Sequence, residues 1–228
     1  GLVDQVRAPL AAVDIAVEVF DGGEPEPPLH AVNDAIAMAT ESKPDLLLGL
    51  GGGSNMDIAK AVAVVMAHGG SVKDYAGDQI VPGPIFPLIL MPTTAGTGSE
   101  VTAASVLCDT DAGGKFGILS NHLRPKFAIV DPMLTVSCPP KVTAASGIDA
   151  LTHAVEAYTA IDNEDFPLPE GERTVYQGRH PLADVLAERA IELVGRHLRS
   201  AVEDGNDLEA REGMALAATL AGMAFSNV

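Results

Sequence analysis

Apolar positions recur at helical spacing over residues 2–12, and the pattern then changes to a β-branched run at 15–20, Ile-Ala-Val-Glu-Val-Phe, which stops at Asp21-Gly22-Gly23. This predicts a helix followed by a strand. After the proline-rich connection 25–28, the spacing predicts a helix over 29–42, a short apolar strand over 45–50, a run of glycines, and a helix over 56–67 closed by Gly69-Gly70. A further apolar strand, 88–91, leads into Pro92. Residues 101–107 and 115–119 flank Asp-Thr-Asp-Ala-Gly-Gly, a hairpin turn, and a last strand at 127–130 ends at Asp131-Pro132. Strands alternating with helices predict an α/β fold with a parallel sheet. From Pro139 onward the pattern is helical only, over 141–159, 182–203 and 208–224, so an all-α unit is expected. The boundary falls near Cys138, dividing the chain into residues 1–138 and 139–228. The connection 161–181 is longer than compact domains usually carry without a functional or interaction role.

Composition narrows the function classes. Apolar residues are 47% of the 228 and charged residues 20%, which excludes a disordered chain. The formal net charge of −17 opposes binding to a phosphate backbone or an anionic bilayer, so no nucleic acid and no membrane are expected as partners. The uncharged stretch 79–99 contains Pro82, Pro84, Pro87 and Pro92, which excludes a lipid-exposed helix. Cys108 and Cys138, without a signal peptide, predict free thiols and a cytoplasmic location. The chain opens at Gly1 and stops inside the apolar segment 216–228 without a stop signal, so both ends look cut.

Three segments could carry chemistry. Gly51-Gly52-Gly53-Ser54 lies between a predicted strand and a predicted helix, where backbone N–H groups and the helix dipole favour an anion such as a pyrophosphate. The G-x-G-x-x-G pattern is not met, because Ser54 stands where its third glycine belongs, and a plain glycine turn stays open. Thr93-Thr94-Ala95-Gly96-Thr97-Gly98-Ser99 follows another strand end and offers hydroxyls among small residues. Two such loops at neighbouring strand ends match the place where open α/β sheets bind ligands. Asp149 and His153 are four apart on one helix, a carboxylate and an imidazole on one face that suit a divalent transition metal. A surface Asp-His pair is the bland alternative, and two ligands fall short of the three that a catalytic metal normally takes. His30, His68, His122, His180 and His197 read as solvated or capping. No nucleophile elbow G-x-S-x-G is present.

GGGSNMDIAK (51–60), PTTAGTGSEVT (92–102) and GIDALTHAVEAY (147–158) resemble, in order and spacing, the signature segments of the iron-containing, group III alcohol dehydrogenases. The resemblance implies an N-terminal α/β dinucleotide-binding domain and an all-helical C-terminal domain, with cofactor and metal in the cleft between them. It implies that Gly52, Gly53 and Ser54 hold the pyrophosphate of NAD(P) with Asp57 nearby. Thr93, Thr94 and Thr97 would line the cleft, Lys115 would contact the ribose, and Thr135 is a further, weaker candidate. Asp149 and His153 match the first two metal ligands, the other two being histidines beyond Val228. Iron is implied, although these ligand types also accept zinc, manganese or cobalt. An acidic residue favouring NAD over NADP would precede Gly1, and Glu26 stands where many alcohol-reducing members have Asn.

The activity implied is hydride transfer between a nicotinamide and a small alcohol, aldehyde or hydroxyacid, in a homo-oligomer. Tyr176-Gln177-Gly178 ahead of Pro181-Leu182-Ala183-Asp184 is similar to the hydroxyacid-oxoacid transhydrogenase branch. A dehydroquinate-synthase-like lyase and an inactive fragment with an incomplete metal site are the alternatives.

Overall fold

The structure, a computed structural model, describes residues 1–162, 164–165 and 167–228. Helix α1 (Leu2–Ala11) buries none of its residues. The strand expected over 15–20 does not form: Ile15 and Val19 are exposed, and among the described residues no strand pairing includes this segment. A β-branched run has strand propensity, but a strand exists only through its partner. Helix α2 (Leu29–Ser42) stops at Lys43, which takes a left-handed conformation. Then follow β1 (Leu47–Gly51), α3 (Gly53–His68), β2 (Gly77–Asp78), β3 (Leu88–Pro92), β4 (Ala104–Asp109), β5 (Gly114–Leu119) and β6 (Phe127–Ala128). The helices α4 (Pro140–Tyr158), α5 (Pro181–Glu203) and α6 (Leu208–Phe225) complete the order.

The strands form two small sheets rather than one. The first has the order β1-β3-β6, is parallel throughout, and runs in register from Leu47 opposite Leu88 to Gly51 opposite Pro92. The second is mixed: β4 and β5 make the expected hairpin, with Asp109 opposite Gly114, and β2 adds parallel to β5. The short polar β2 has no hydrophobic pattern by which a sequence reading could find it. Helix α3 joins the two sheets. Its Ala61, Ala63 and Val64 are fully buried, and Ile58, Val62, Leu107, Ile118 and Leu123 share one apolar cluster with Val32 of α2.

Helices α4, α5 and α6 pack through alanines. Ala150, Ala154, Ala157, Ala187, Ala190, Ala217, Ala221 and Ala224 are all fully buried. His180 caps α5 by accepting the Leu182 amide through Nδ1 at 3.2 Å, a capping role expected from the sequence. Apart from Asn163 and Phe166, which lie outside the described residues, the long connection docks at its second half. Val175 is buried and its amide donates to Asp78 Oδ1 at 3.2 Å, while the Gln177 amide donates to the Asn227 carbonyl at 3.0 Å. Among the described residues no helix is long and apolar enough to cross a membrane. Both cysteines are free thiols.

Candidate functional site: two strand ends, a helix start and an Asp-His face

The carboxyl ends of β1 and β3 meet where the Thr93 amide donates to the Gly51 carbonyl at 2.9 Å. Gly52 is the N-cap of α3, so Gly53 and Ser54 belong to the first turn and the helix starts three residues earlier than its apolar spacing predicts. Glycine and serine have no apolar face, which is why periodicity misses them. Among the described residues no side chain caps this end, so the first N–H groups of a 16-residue helix stay available to an anion.

The two glycines differ in what they face. A Cβ on Gly53 would sit 2.7 Å from Thr97 Cγ2, so the bare face of Gly53 receives Thr97. A Cβ on Gly52 would meet nothing closer than Thr94 at 3.5 Å. Gly53, Ser54, Asp57, Thr97 and Lys115, five of the nine expected cofactor residues, line one cavity of about 210 Å³. Glu26, Pro27, Val106 and Cys108 complete its lining; of these the sequence marked Glu26 only as a departure from the Asn of many alcohol-reducing members, and it gave the other three no place in the site. Thr135 is outside it. That residue is buried in a turn, and its hydroxyl donates to the Pro132 carbonyl at 2.8 Å.

Asp57 lines the cavity and also ties segments together. Its Oδ1 accepts from Ser99 Oγ at 2.7 Å and its Oδ2 from the Val106 amide at 3.0 Å. One turn on, the fully buried Lys60 donates to the Thr102 carbonyl, Thr102 Oγ1 and the Ala104 carbonyl at 3.0, 3.1 and 2.7 Å. Glu100, only 2% exposed, accepts from Thr219 Oγ1 of α6 at 2.9 Å. Thus the first signature segment grips the second through Asp57 and Lys60, and the second grips α6 through Glu100. Burial raises the carboxyl pKa of Asp57 and of Glu100. It pushes the Lys60 ammonium down to about 8, against the pull of Asp57 and Glu100.

A stability slope follows. The folded chain releases the Lys60 proton from about pH 8, whereas an unfolded lysine holds it to its ordinary 10.5. The unfolded chain therefore binds more protons across that interval, and stability rises with pH as the buried charge is relieved, by about 3 kcal/mol in total. Urea denaturation between pH 7.5 and 10.5 should show the wild type gaining on Lys60→Met by that amount. Parallel curves for the two proteins would refute it.

The segment after β3 also touches the helical half directly. Gly96 backs onto Ser146 of α4, and a Cβ on Gly98 would lie 2.7 Å from Gly222 Cα of α6. The Ala103 amide donates to Ser226 Oγ at 2.8 Å, and Arg124 Nη2 donates to the Ser226 carbonyl at 2.9 Å. Three and seven residues beyond Ser146, on the same helix, stand Asp149 and His153.

His153 Nε2 lies 3.7 Å from Asp149 Oδ1, too far for a hydrogen bond. Two atoms each about 2.0–2.2 Å from one ion at a tetrahedral angle stand roughly 3.3–3.6 Å apart, close to this separation. The buried Nδ1 of His153 has no hydrogen-bond partner among the described residues, and the ring stacks on Phe225 with centroids 4.7 Å apart. Neither nitrogen is committed to a hydrogen bond, so the pair fits as part of a ligand set. Among the described residues no three His, Cys, Asp or Glu side chains cluster as a metal site.

Residues 1–132 match the sequence family described as iron-containing alcohol dehydrogenase, and residues 172–228 match the C-terminal region of the Fe-containing alcohol dehydrogenase family. The chain belongs to the iron-containing alcohol dehydrogenase family. It is 46% identical over 230 residues to long-chain-alcohol dehydrogenase 1 of Geobacillus thermodenitrificans, covering all of this chain and 54% of that protein. The crystal structure of a 1,3-propanediol oxidoreductase superposes with a TM-score of 0.89 at 40% identity, over 100% of this chain and 55% of that one. That of sulfoacetaldehyde reductase from Bifidobacterium kashiwanohense in complex with NAD+ gives 0.82 at 35% identity, over 99% and 56%. This family member thus spans about half the length of the curated relatives it matches. Its fold agrees with the family at the level of a parallel sheet with helices beside a helical bundle.

Proposed function

We propose that this chain forms the nucleotide-binding unit, residues 1–138, and part of the metal-binding unit, residues 139–228, of an NAD(P)-linked alcohol dehydrogenase. The observation that carries the reading is the cavity at the uncapped start of α3, which unites Gly53, Ser54, Thr97 and Lys115. There the first N–H groups of α3 would bind the pyrophosphate, and Thr97, seated on Gly53, would fix the opposite wall. Lys115 would reach a ribose or phosphate oxygen from the hairpin. On α4, Asp149 and His153 would hold a divalent metal, iron first by kinship, with Phe225 fixing the plane of the imidazole. When bound, the nicotinamide carries the hydride and the metal draws electron density from the substrate oxygen. The chain's own contribution is alignment: Gly96 against Ser146 ties the nucleotide wall to the helix that presents Asp149 and His153. The substrate class is a small alcohol and its aldehyde, or a hydroxyacid and its oxoacid.

Gly52→Val tests the reading. At φ −76° a valine fits the backbone, and its side chain enters the space over the strand ends. NADH affinity by calorimetry should fall by at least about 100-fold with the melting temperature unchanged. Equal affinity in a folded variant would remove the claim.

A further inference from the structure

A histidine that holds a metal normally has its second ring nitrogen fixed by a carboxylate or a backbone carbonyl, which sets the plane of the imidazole. His153 has no such anchor. Asp149 stands 3.7 Å from its Nε2, and the buried Nδ1 has no hydrogen-bond partner among the described residues. The ring rests instead on Phe225, stacked at an interplanar angle of 24°. Phe225 makes a T-shaped contact with Tyr176 as well, with centroids 6.5 Å apart. The orientation of the imidazole thus depends on where the last residue of α6 places one aromatic side chain.

Helix ends fray unless they are held, and this one is held from the α/β half of the chain. Ser226, the C-cap of α6, is only 3% exposed. Arg124 Nη2 donates to the Ser226 carbonyl at 2.9 Å, to Ser226 Oγ at 3.3 Å and to Asn227 Oδ1 at 3.2 Å, while Nη1 donates to Asn121 Oδ1. The backbone around Arg124 is itself anchored: Leu123 is fully buried, and the Lys126 amide donates to the Leu88 carbonyl of β3 at 2.9 Å. A guanidinium at the end of a helix complements the negative pole of its dipole, and the planar fork gives it a fixed direction.

We infer that Arg124 is a positioning residue for the proposed metal site: by gripping Ser226 it fixes the last turn of α6, and with it the ring of Phe225 that sets the plane of His153. This rests on the metal-binding reading above. None of the hydrogen bonds of Arg124 goes to Asp149 or His153, so its loss reaches the ligands only through Phe225.

The experiment is Co(II) binding to the metal-free complete polypeptide, followed by calorimetry and by the visible absorption of the bound ion, whose bands report ligand geometry. Arg124→Met should weaken Co(II) binding at least about tenfold and shift the bands, the scale usual for losing an outer support of a ligand. NADH affinity should stay within about threefold of wild type. Arg124→Lys keeps the charge but not the fork, and should fall between the two. In a Phe225→Leu background, where the path is already cut, adding Arg124→Met should change Co(II) affinity by less than about threefold. A folded Arg124→Met protein with wild-type Co(II) affinity and spectrum would overturn the assignment, and so would additive losses in the double variant or an equal loss of NADH. Should Arg124→Met fail to fold, Arg124→Lys carries the test, and a wild-type affinity and spectrum there would overturn it equally. A wild type that binds no Co(II) would overturn the metal reading beneath, and the assignment with it.

Discussion

Asp149→Ala and His153→Ala, each made in the complete polypeptide, should lose bound metal and lower carbonyl reduction by at least about 1,000-fold, a fall that reflects several kcal/mol of charge stabilisation at the substrate oxygen. NADH affinity should stay within about threefold of wild type. The separation is expected because the two proposed ligands sit on α4, while the uncapped helix start proposed to face the nucleotide is at α3. The 3.7 Å gap between the two side chains means that neither relies on the other for a hydrogen bond, so either loss alone should empty the site. Elemental analysis settles the matter: metal content equal to wild type in either variant would place the ion elsewhere. His153→Ala should also free the face of Phe225, and a modest drop in melting temperature, absent in Asp149→Ala, would report that stack.

The second large effect concerns Gly98. Its φ is +60°, and a side chain there would run into the backbone of Gly222 at 2.7 Å. Gly98→Val combines a left-handed backbone with overlap against main chain that cannot rotate aside, and should cost about 3–5 kcal/mol of unfolding free energy. Gly113→Ala is the matched control. It has a similar φ of +70° but nothing within 4 Å, so it should cost only about 1 kcal/mol. Urea denaturation of both variants separates strain from overlap, and a Gly98→Val protein as stable as Gly113→Ala would show that α6 does not rest on this contact.

Much of this architecture is legible in the periodicity of the chain. Long helices such as 29–42 and 208–224 announce themselves because their apolar faces repeat over several turns. The segment 15–20 misleads because β-branched residues report a preference for strand, while pairing depends on a neighbour that local sequence does not contain. The candidate site is drawn by motif from the glycines and threonines and from the Asp149-His153 spacing, while the contacts its residues make are less legible. Asp57 is selected by its motif, but its hold on Ser99 and Val106, 42 and 49 residues away, is visible only once the tertiary fold brings them near. Lys60 and Glu100 are charged, and charged residues are normally expected at the surface, so their burial is invisible until the hydrogen bonds that satisfy them are seen. Glu26 is marked in the sequence as a departure from the family's Asn, but its left-handed backbone is encoded by no composition or spacing.

The alanine seams between α4, α5 and α6 carry a consequence for how this half of the chain can change. A methyl side chain has no rotamers to lose on folding, so these contacts form at little entropic cost. It also has almost nothing left to trim, and a larger residue would force whole helices apart. Sequence drift and directed evolution alike should therefore find their freedom on the outward faces, at positions such as Leu182, Val185 and Leu216, which are already exposed. The buried seam would accept little beyond alanine and glycine, and a saturation library over Ala187, Ala217 and Ala221 would return folded proteins drawn almost wholly from those two residues.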